Sequence, residues 1–409
     1  MTDLDFSRSQ GTKMSEKILT VACNILVFGL VFLMLRLPYQ FSLTLVALVI
    51  AALLYMEKSG AMNAVFSLYI RNKGLAASSA IVCMLAIPVL LATFRYQSHI
   101  AVMAVIYIMV CLGVNFQMGS ANMVNFAPAA FMGIGAYSMA VTTVKLGISP
   151  WFGLLVAIIL CSVAGLLIGL PTLRTKGYYL SLVTMALQLA FTQLIKNIPY
   201  IGGPNGLSGV KALNIGGFSL YKSYTFFGMK LAPHFFYLIF CILMLALLYY
   251  IAVRISISRY GLVLNNIAQD EIAANCLGVK VSSYKLFAFL IGAIFCGIGG
   301  ALYASLTSFV GPNDFTFARS LVFICMVILG GMDNLVGVLV GAFLLTVITE
   351  KLRDFSDYAQ LIYALLLVII LIVRPSGLIP KRVRNYCAIF GRELLPPSRQ
   401  NVSEPTDTQ

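Results

Sequence analysis

The sequence predicts an all-α polytopic membrane protein of about 10–12 transmembrane helices, re-entrant or half-helices among them, with a cytoplasmic N-terminus. Two observations carry that prediction. Only 10% of the 409 residues are charged while 60% are hydrophobic, whereas a soluble domain needs roughly a quarter charged to cover its surface. The apolar residues also fall in runs of membrane length, and in lipid a single segment satisfies its own backbone only as a helix.

Ile18–Leu35, Pro38–Met56 and Gly74–Phe94 are the first three runs. A polar lead with Arg8, Lys13 and Lys17, and no small-residue cleavage site, keeps the first as a span rather than a removable signal. Ile100–Val144 holds 45 residues without a charge, too long for one helix, and breaks near Gly119 and Ser120 into a fourth and a fifth. Leu146–Leu173, Gly177–Ile195, Leu231–Val253 and Leu286–Asn313 follow. The remaining runs are short: Ser320–Met332 has 13 residues, Asn334–Thr349 and Tyr358–Val373 have 16 each. The first of these is too short to cross alone and reads as a half-helix or the arm of a re-entrant hairpin.

Basic residues set the orientation. With the N-terminus inside, the segments 1–17, 57–73, 174–176, 254–285 and 374–409 are cytoplasmic and hold 18 of the 28 Lys and Arg residues. Scattered between spans in this way, the net charge of +14 writes membrane topology rather than a nucleic-acid surface. The chain divides into an N-terminal extension, 1–98, with about three helices, a core from 99 to 382, and a cytoplasmic disordered tail, 383–409. The nine cysteines form no Cys-x-x-Cys pair and read as small buried hydrophobes.

Two polar segments interrupt the core. Residues 196–230 form an external loop with tight turns at Gly202-Gly203-Pro204-Asn205-Gly206. Residues 254–285 are internal, with Asp270 and Glu271 opening a short helix that Gly278 closes. Inside the spans the polar residues are neutral: Asn115, Gln117, Asn122, Asn125, Thr184, Gln188, Thr192 and Gln193. They either line a path for a desolvated solute or bond one helix to another. Arg319 and Asp333, flanking the 13-residue run, are the charges nearest to a span interior. That scarcity argues against an ion-coupled secondary transporter, which needs intramembrane ionisable groups. Gly292, Cys296 and Gly300 form one ridge of small residues and Ala293, Gly297 and Ala301 another, as close helix packing requires. No paired carboxylates, histidine cluster or phosphate-binding glycine loop is present. The reading therefore assigns no catalytic residue, no metal and no cofactor, and places any ATP hydrolysis on another chain.

At the internal segment the residues become recognisable. Ser258-Arg259-Tyr260-Gly261, Ala268-Gln269-Asp270-Glu271-Ile272-Ala273-Ala274 and Leu277-Gly278-Val279 resemble the coupling loop of ABC importer permeases, here at about 256–284. Further stretches resemble the LivM-type permeases of branched-chain amino acid importers, in the same order. They include Gly113-Val114-Asn115, Phe131-Met132-Gly133-Ile134-Gly135-Ala136-Tyr137, Arg174-Thr175-Lys176-Gly177 and the Gly202–Gly206 turn. Beyond the loop come Gly299-Gly300-Ala301-Leu302-Tyr303, Leu329-Gly330-Gly331 and Arg374-Pro375-Ser376-Gly377-Leu378-Ile379-Pro380. Where many members carry a glycine-rich run with Gln or His, this chain has Gln117–Asn125.

The resemblance implies a non-catalytic permease subunit of a bacterial inner membrane. Asp270, Glu271, Ala273, Ala274 and Gly278 would couple it to an ATPase, and Asn115, Gln117, Asn125, Thr184 and Gln188 would line the path. It also implies a second, LivH-type permease, two ABC ATPase subunits and a periplasmic solute-binding protein as partners, in membrane lipid. The implied solute is leucine, isoleucine or valine, with urea, amides or other amino acids as alternatives.

Overall fold

A computed structural model describes residues 3–59, 73–92, 94–172, 178–215, 218–219, 225–226, 229–230, 232–352, 368, 372 and 377–379. The expected tail 383–409, the Arg174–Gly177 stretch and all of the 358–373 run except 368 and 372 lie outside the described residues. Among the described residues three helices come first: α1 (Asp3–Arg36), α2 (Tyr39–Lys58) and α3 (Lys73–Leu90). The core follows with α4 (Arg95–Asn115), α5 (Pro128–Ala140), α6 (Pro150–Thr172), α7 (Tyr178–Asn197) and α8 (Phe235–Ile257). Two short helices, α9 (Arg259–Gln269) and α10 (Glu271–Cys276), lead into α11 (Val281–Thr307), α12 (Phe317–Gly330) and α13 (Leu335–Lys351).

Six stretches among the described residues are long and apolar enough to cross a membrane: Lys17–Arg36, Arg95–Ser120, Pro150–Leu170, Tyr179–Asn197, Phe235–Ile257 and Val281–Thr307. The chain is thus an all-α polytopic membrane protein. The 13-residue run is the 14-residue α12, which turns through Gly331–Asn334 into α13. Its Gly330 lies so close to Gly337 and Gly341 of α13 that no side chain fits between the two arms.

The break expected at Gly119 and Ser120 is there, but wider. The α4 ladder loosens into a π-turn at Phe116–Ser120, the chain then runs extended, and helix resumes only at Pro128. Proline restarts it because its φ is already helical and its missing N–H is one a first turn leaves unpaired. Where one short internal helix was expected, two form. α9 buries Gly261, Leu264, Asn265 and Ile267, an amphipathic stripe at helical spacing.

α11 is the axis of the core. Its first ridge of small residues meets α4 and α5: Gly292 lies under Gln117, the Cys296 thiol reaches the Val110 carbonyl at 3.7 Å, and Gly300 abuts the Met132 carbonyl. Its second ridge meets α6, where Ala293 faces Gly165 and Gly297 faces Cys161. Without a hydrophobic drive between helices in lipid, close backbone approach and dispersion supply the cohesion.

At the end of the bundle away from α9 and α10, strand β1 (Leu207–Ser208) pairs antiparallel with a second strand, Phe309–Val310, just past α11. The glycine-rich turn before β1 holds Gly202, Gly203 and Gly206 at φ 91, 52 and 71°, a conformation side chains resist. At the same end, Lys351 of α13 donates to the Leu37 carbonyl at 2.9 Å and caps the end of α1. A cation near the last carbonyls of a helix complements its dipole, and this contact ties α1 to the core.

Because Gly300 faces backbone, Gly300→Leu forces α5 away from α11. Overpacking of this kind costs about 1–3 kcal/mol. Thermal unfolding in detergent should show a lower Tm for Gly300→Leu. Gly29→Leu, at a position with open space around it, should leave the Tm in place.

Candidate functional site

Between Ala121 and Ala127 the backbone has no helical ladder, yet it lies in the apolar core. Lipid offers no partner for such groups, so side chains must satisfy them. Burial alternates as in a strand: Ala121, Met123, Asn125 and Ala127 face inward, while Asn122 and Val124 are exposed and Phe126 is half-buried. Asn122 takes φ 51°, a region that asparagine tolerates better than most residues.

All five sequence-predicted path residues are fully buried, and three of them, Gln117, Asn125 and Thr184, bond within this segment. Asn125 accepts from the Ala127 N–H at 2.8 Å and donates to the Gln117 Oε1 at 2.7 Å. Gln117 in turn donates to the Phe289 carbonyl of α11 at 3.0 Å. Thr184 of α7 accepts from the Phe126 N–H at 3.0 Å. One turn further along α7, Gln188 accepts from the Ala130 N–H at 2.7 Å and from the Ser320 hydroxyl at 2.9 Å, and donates to the Phe315 carbonyl at 2.7 Å. Asn115 accepts from the Asp333 N–H at 2.9 Å. The five therefore bond mostly to backbone: they hold the unwound segment, the first turn of α5 and the α12–α13 turn in register.

Two further members lie close by. Ser320 receives the Ala129 N–H at 3.1 Å, and sequence reading missed it because a serine in the first turn of an apolar run carries no signal of its own. Asp333 is drawn inward, 3% exposed, where the Ser120 hydroxyl donates to its carboxylate at 2.7 Å. Its φ of 62° fits the tight turn between α12 and α13, where Gly119 touches the Asp333 backbone.

The internal segment forms a second site. Asp270 caps α10, accepting from Ile272 and Ala273 N–H groups at 2.8 and 3.0 Å. Gly278, at φ 81°, ends the helix with its N–H on Asn275 and the Val279 N–H on Ala274, the six-to-one bond of a Schellman turn. The acidic start and glycine stop are both as the sequence punctuates them. Ala274 packs under Ile267 and Val281, and Glu271 forms an ion pair with Lys285 of α11 at 2.6 Å. Ala273 faces outward, as do Ile272 and Leu277, which are 78% and 79% exposed. Two large apolar side chains so exposed on a rigidly capped helix are what a partner surface would cover. On the other side, α9 packs against the π-turn at Phe116–Ser120, so the two sites adjoin.

Comparison with known proteins adds a family. Residues 96–373 match the family described as branched-chain amino acid transport system permease component. The chain is 35% identical over 300 residues to the high-affinity branched-chain amino acid permease protein LivM of Salmonella typhimurium, covering 70% of each chain. It is 34% identical over 302 residues to LivM of Escherichia coli, again 70% of each. A probable permease protein LivH of Methanocaldococcus jannaschii is 23% identical over 301 residues, 67% of this chain and 90% of that one. No solved structure matches the chain.

Gln188→Leu removes the acceptor of the Ser320 hydroxyl and leaves the Ala130 N–H with Ala127 alone and the Phe315 carbonyl with Thr192 alone. Leaving buried polar groups unpaired costs roughly 1–3 kcal/mol each. Its Tm in detergent should fall well below wild type, whereas Gln193→Leu, on the exposed side of α7, should change it little.

Proposed function

Because the chain belongs to the family of branched-chain amino acid transport permease components, we propose that it is the non-catalytic membrane subunit of an ATP-driven importer of leucine, isoleucine and valine. The observation that carries this is the α9–α10 unit. It is capped at Asp270 and Gly278, keyed to α11 through Glu271 and Ala274, and presents Ile272 and Leu277 outward. An ATPase subunit gripping that helix would move α11 with it, and α9 would carry the displacement to the π-turn. In this reading Asp270, Glu271, Ala273, Ala274 and Gly278 are the coupling residues.

The solute path runs along the unwound segment. Asn115, Gln117, Asn125, Thr184 and Gln188 form the wall behind it, and Asn122, Val124 and Phe126 its outward face. Discontinuous backbone at membrane depth is a recurrent way to build such a site. The α10 end lies in the cytoplasm of a bacterial inner membrane. There two ATPase subunits bind, a LivH-type permease completes the path, and a periplasmic binding protein docks at the opposite end. In that assembly 1–98 is an extension around a core of 99–382, and 383–409 a cytoplasmic tail.

Uptake in vesicles carrying the whole complex should require ATP and survive collapse of the proton and sodium gradients. The buried Asp333 supplies the one specific ground for a carrier, and Asp333→Asn should leave the ATP requirement intact. Uptake by this chain alone on an imposed ion gradient, lost with Asp333→Asn, would promote the carrier. Urea, amides or other amino acids displacing leucine as the transported solute would move the substrate and leave the class.

Gly278 isolates the coupling turn, since a Cβ there meets nothing within 4 Å and only φ is strained. Strain of this kind is worth about 1–3 kcal/mol. Gly278→Val should leave the complex assembled but lower uptake per ATP hydrolysed, with Gly278→Asn intermediate. Normal coupling in Gly278→Val would show that the turn is not used.

A further inference from the structure

At the end of the bundle opposite α10 lies a cluster that neither the polar wall nor the coupling unit uses. Arg319, in the first turn of α12, places its guanidinium carbon 5.6 Å from the ring centre of Tyr107 on α4, which is itself 3% exposed. Among the described residues no carboxylate lies within ion-pair distance of that guanidinium, although Asp314 and Glu350 are both within electrostatic reach. A cation held in a membrane bundle without a direct counter-ion marks a functional position. Desolvated guanidinium is costly unless an anion meets it, and its planar fork matches a carboxylate in two hydrogen bonds.

Asp314 supplies the opposite charge. It sits on the short turn Pro312–Phe315, where its Oδ2 accepts the Gly311 N–H at 3.1 Å. The pairing of Leu207–Ser208 with Phe309–Val310 fixes the chain just before that turn. On its other side Gln188 and Thr192 hold the Phe315 carbonyl. The Phe315 ring is fully buried, 6.1 Å from the rings of both Tyr137 and Tyr303. Asp314 acts electrostatically on both Tyr303 and Tyr137. The Tyr137 hydroxyl, in a residue only 6% exposed, has no hydrogen-bond partner among the described residues. A buried hydroxyl usually finds one.

Five separate elements thus contribute a cation without a direct carboxylate partner, a carboxylate and three tyrosines, one of them with an orphan hydroxyl. We propose that this cluster binds the charged backbone of an amino acid, Arg319 taking its α-carboxylate and Asp314, with the tyrosine faces, its α-ammonium. The Tyr137 hydroxyl, on the Asp314 side of the cluster, accepts a hydrogen bond from the ammonium. The proposal rests on the reading of the solute as an amino acid. It adds where the zwitterion is read: beside the Phe315 carbonyl that anchors the polar wall, and before the unwound segment.

The test uses the membrane complex of both permeases and both ATPase subunits in lipid nanodiscs, without the solute-binding protein. Binding of tritiated leucine is followed by scintillation proximity. The competitors are leucine, leucinamide (ammonium only) and 4-methylpentanoate (carboxylate only). Loss of a charged hydrogen bond costs roughly tenfold to a hundredfold in affinity. Leucinamide and 4-methylpentanoate should each compete that much more weakly than leucine. Arg319→Gln should lower leucine to the level of leucinamide, with part of the affinity restored in Arg319→Lys. Asp314→Asn should lower leucine to the level of 4-methylpentanoate. Tyr137→Phe, which keeps the ring and its packing, should weaken leucine.

Equal competition by leucinamide, unaltered binding in both Arg319→Gln and Tyr137→Phe, or no leucine bound by a complex that imports it would overturn the site. A complex that imports no branched-chain amino acid at all would overturn the functional reading instead. The same assay on its actual solute and on that solute's amide would then decide the cluster separately.

Discussion

The constraint on which this fold depends is the unsatisfied backbone between Ala121 and Ala127. A stretch of extended chain inside an apolar bundle has to find partners for its N–H and C=O groups without a ladder and without water. Its amides return to the π-turn at Ala121 and Met123, and find side chains at Phe126, through Thr184 on α7, and at Ala127, through Asn125. Gln188 on α7 and Ser320 on α12 then hold the Ala130 and Ala129 amides where α5 begins. Those side chains reach only because their helices stand close. α7 is held through Phe315, α12 through its glycine crossing with α13, and α4 through Gly292 and Cys296 on α11. Small residues and amides are thus two halves of one device. The first bring backbones together, and the second bind them where the helix stops.

The same device sets how motion could travel. α11 meets α4, α5 and α6 along two ridges and begins directly after α10, to which Glu271–Lys285 and the Ala274 contact bind it. Packed backbones transmit displacement because they cannot compress. The least regular backbone, 116–127, lies beside α9, so a shift of the internal helices falls first on the part of the core with the fewest ladder bonds to lose. At the other end, β1 and its partner strand pin the approach to the Pro312–Phe315 turn.

Much of this was legible from residues alone. Charge-free runs give the helices, the 45-residue stretch demands a break, and the pair Asp270 and Gly278 states both ends of α10. The 13-residue run had to be a partial span, since about 1.5 Å of rise per residue cannot take it across. Other features lack a sequence signal. Asn115, Gln117 and Asn125 look alike as polar residues in apolar surroundings, yet what each binds is backbone from a distant segment. That partner is invisible in composition. Ser320 is hidden for the same reason. Asp333 could be flagged as a charge near a span, but its burial depends on Gly119 leaving room beside it. Arg319 was visible only as a charge at a span end, because the ring beneath it, Tyr107, lies far away in sequence.

The central claim is that side chains, together with carbonyls of the π-turn, satisfy the unwound segment in place of a regular helical ladder, and hydrogen exchange on the intact complex measures that most directly. Peptides covering 121–130 should exchange slowly despite having no helix before Pro128, because the Met123, Phe126, Ala127, Ala129 and Ala130 amides are all hydrogen-bonded. Thr184→Val should speed exchange at Phe126 while leaving the α11 amides protected. Rapid exchange across 121–130 in the unaltered protein, at the rate of an exposed loop, would contradict the account.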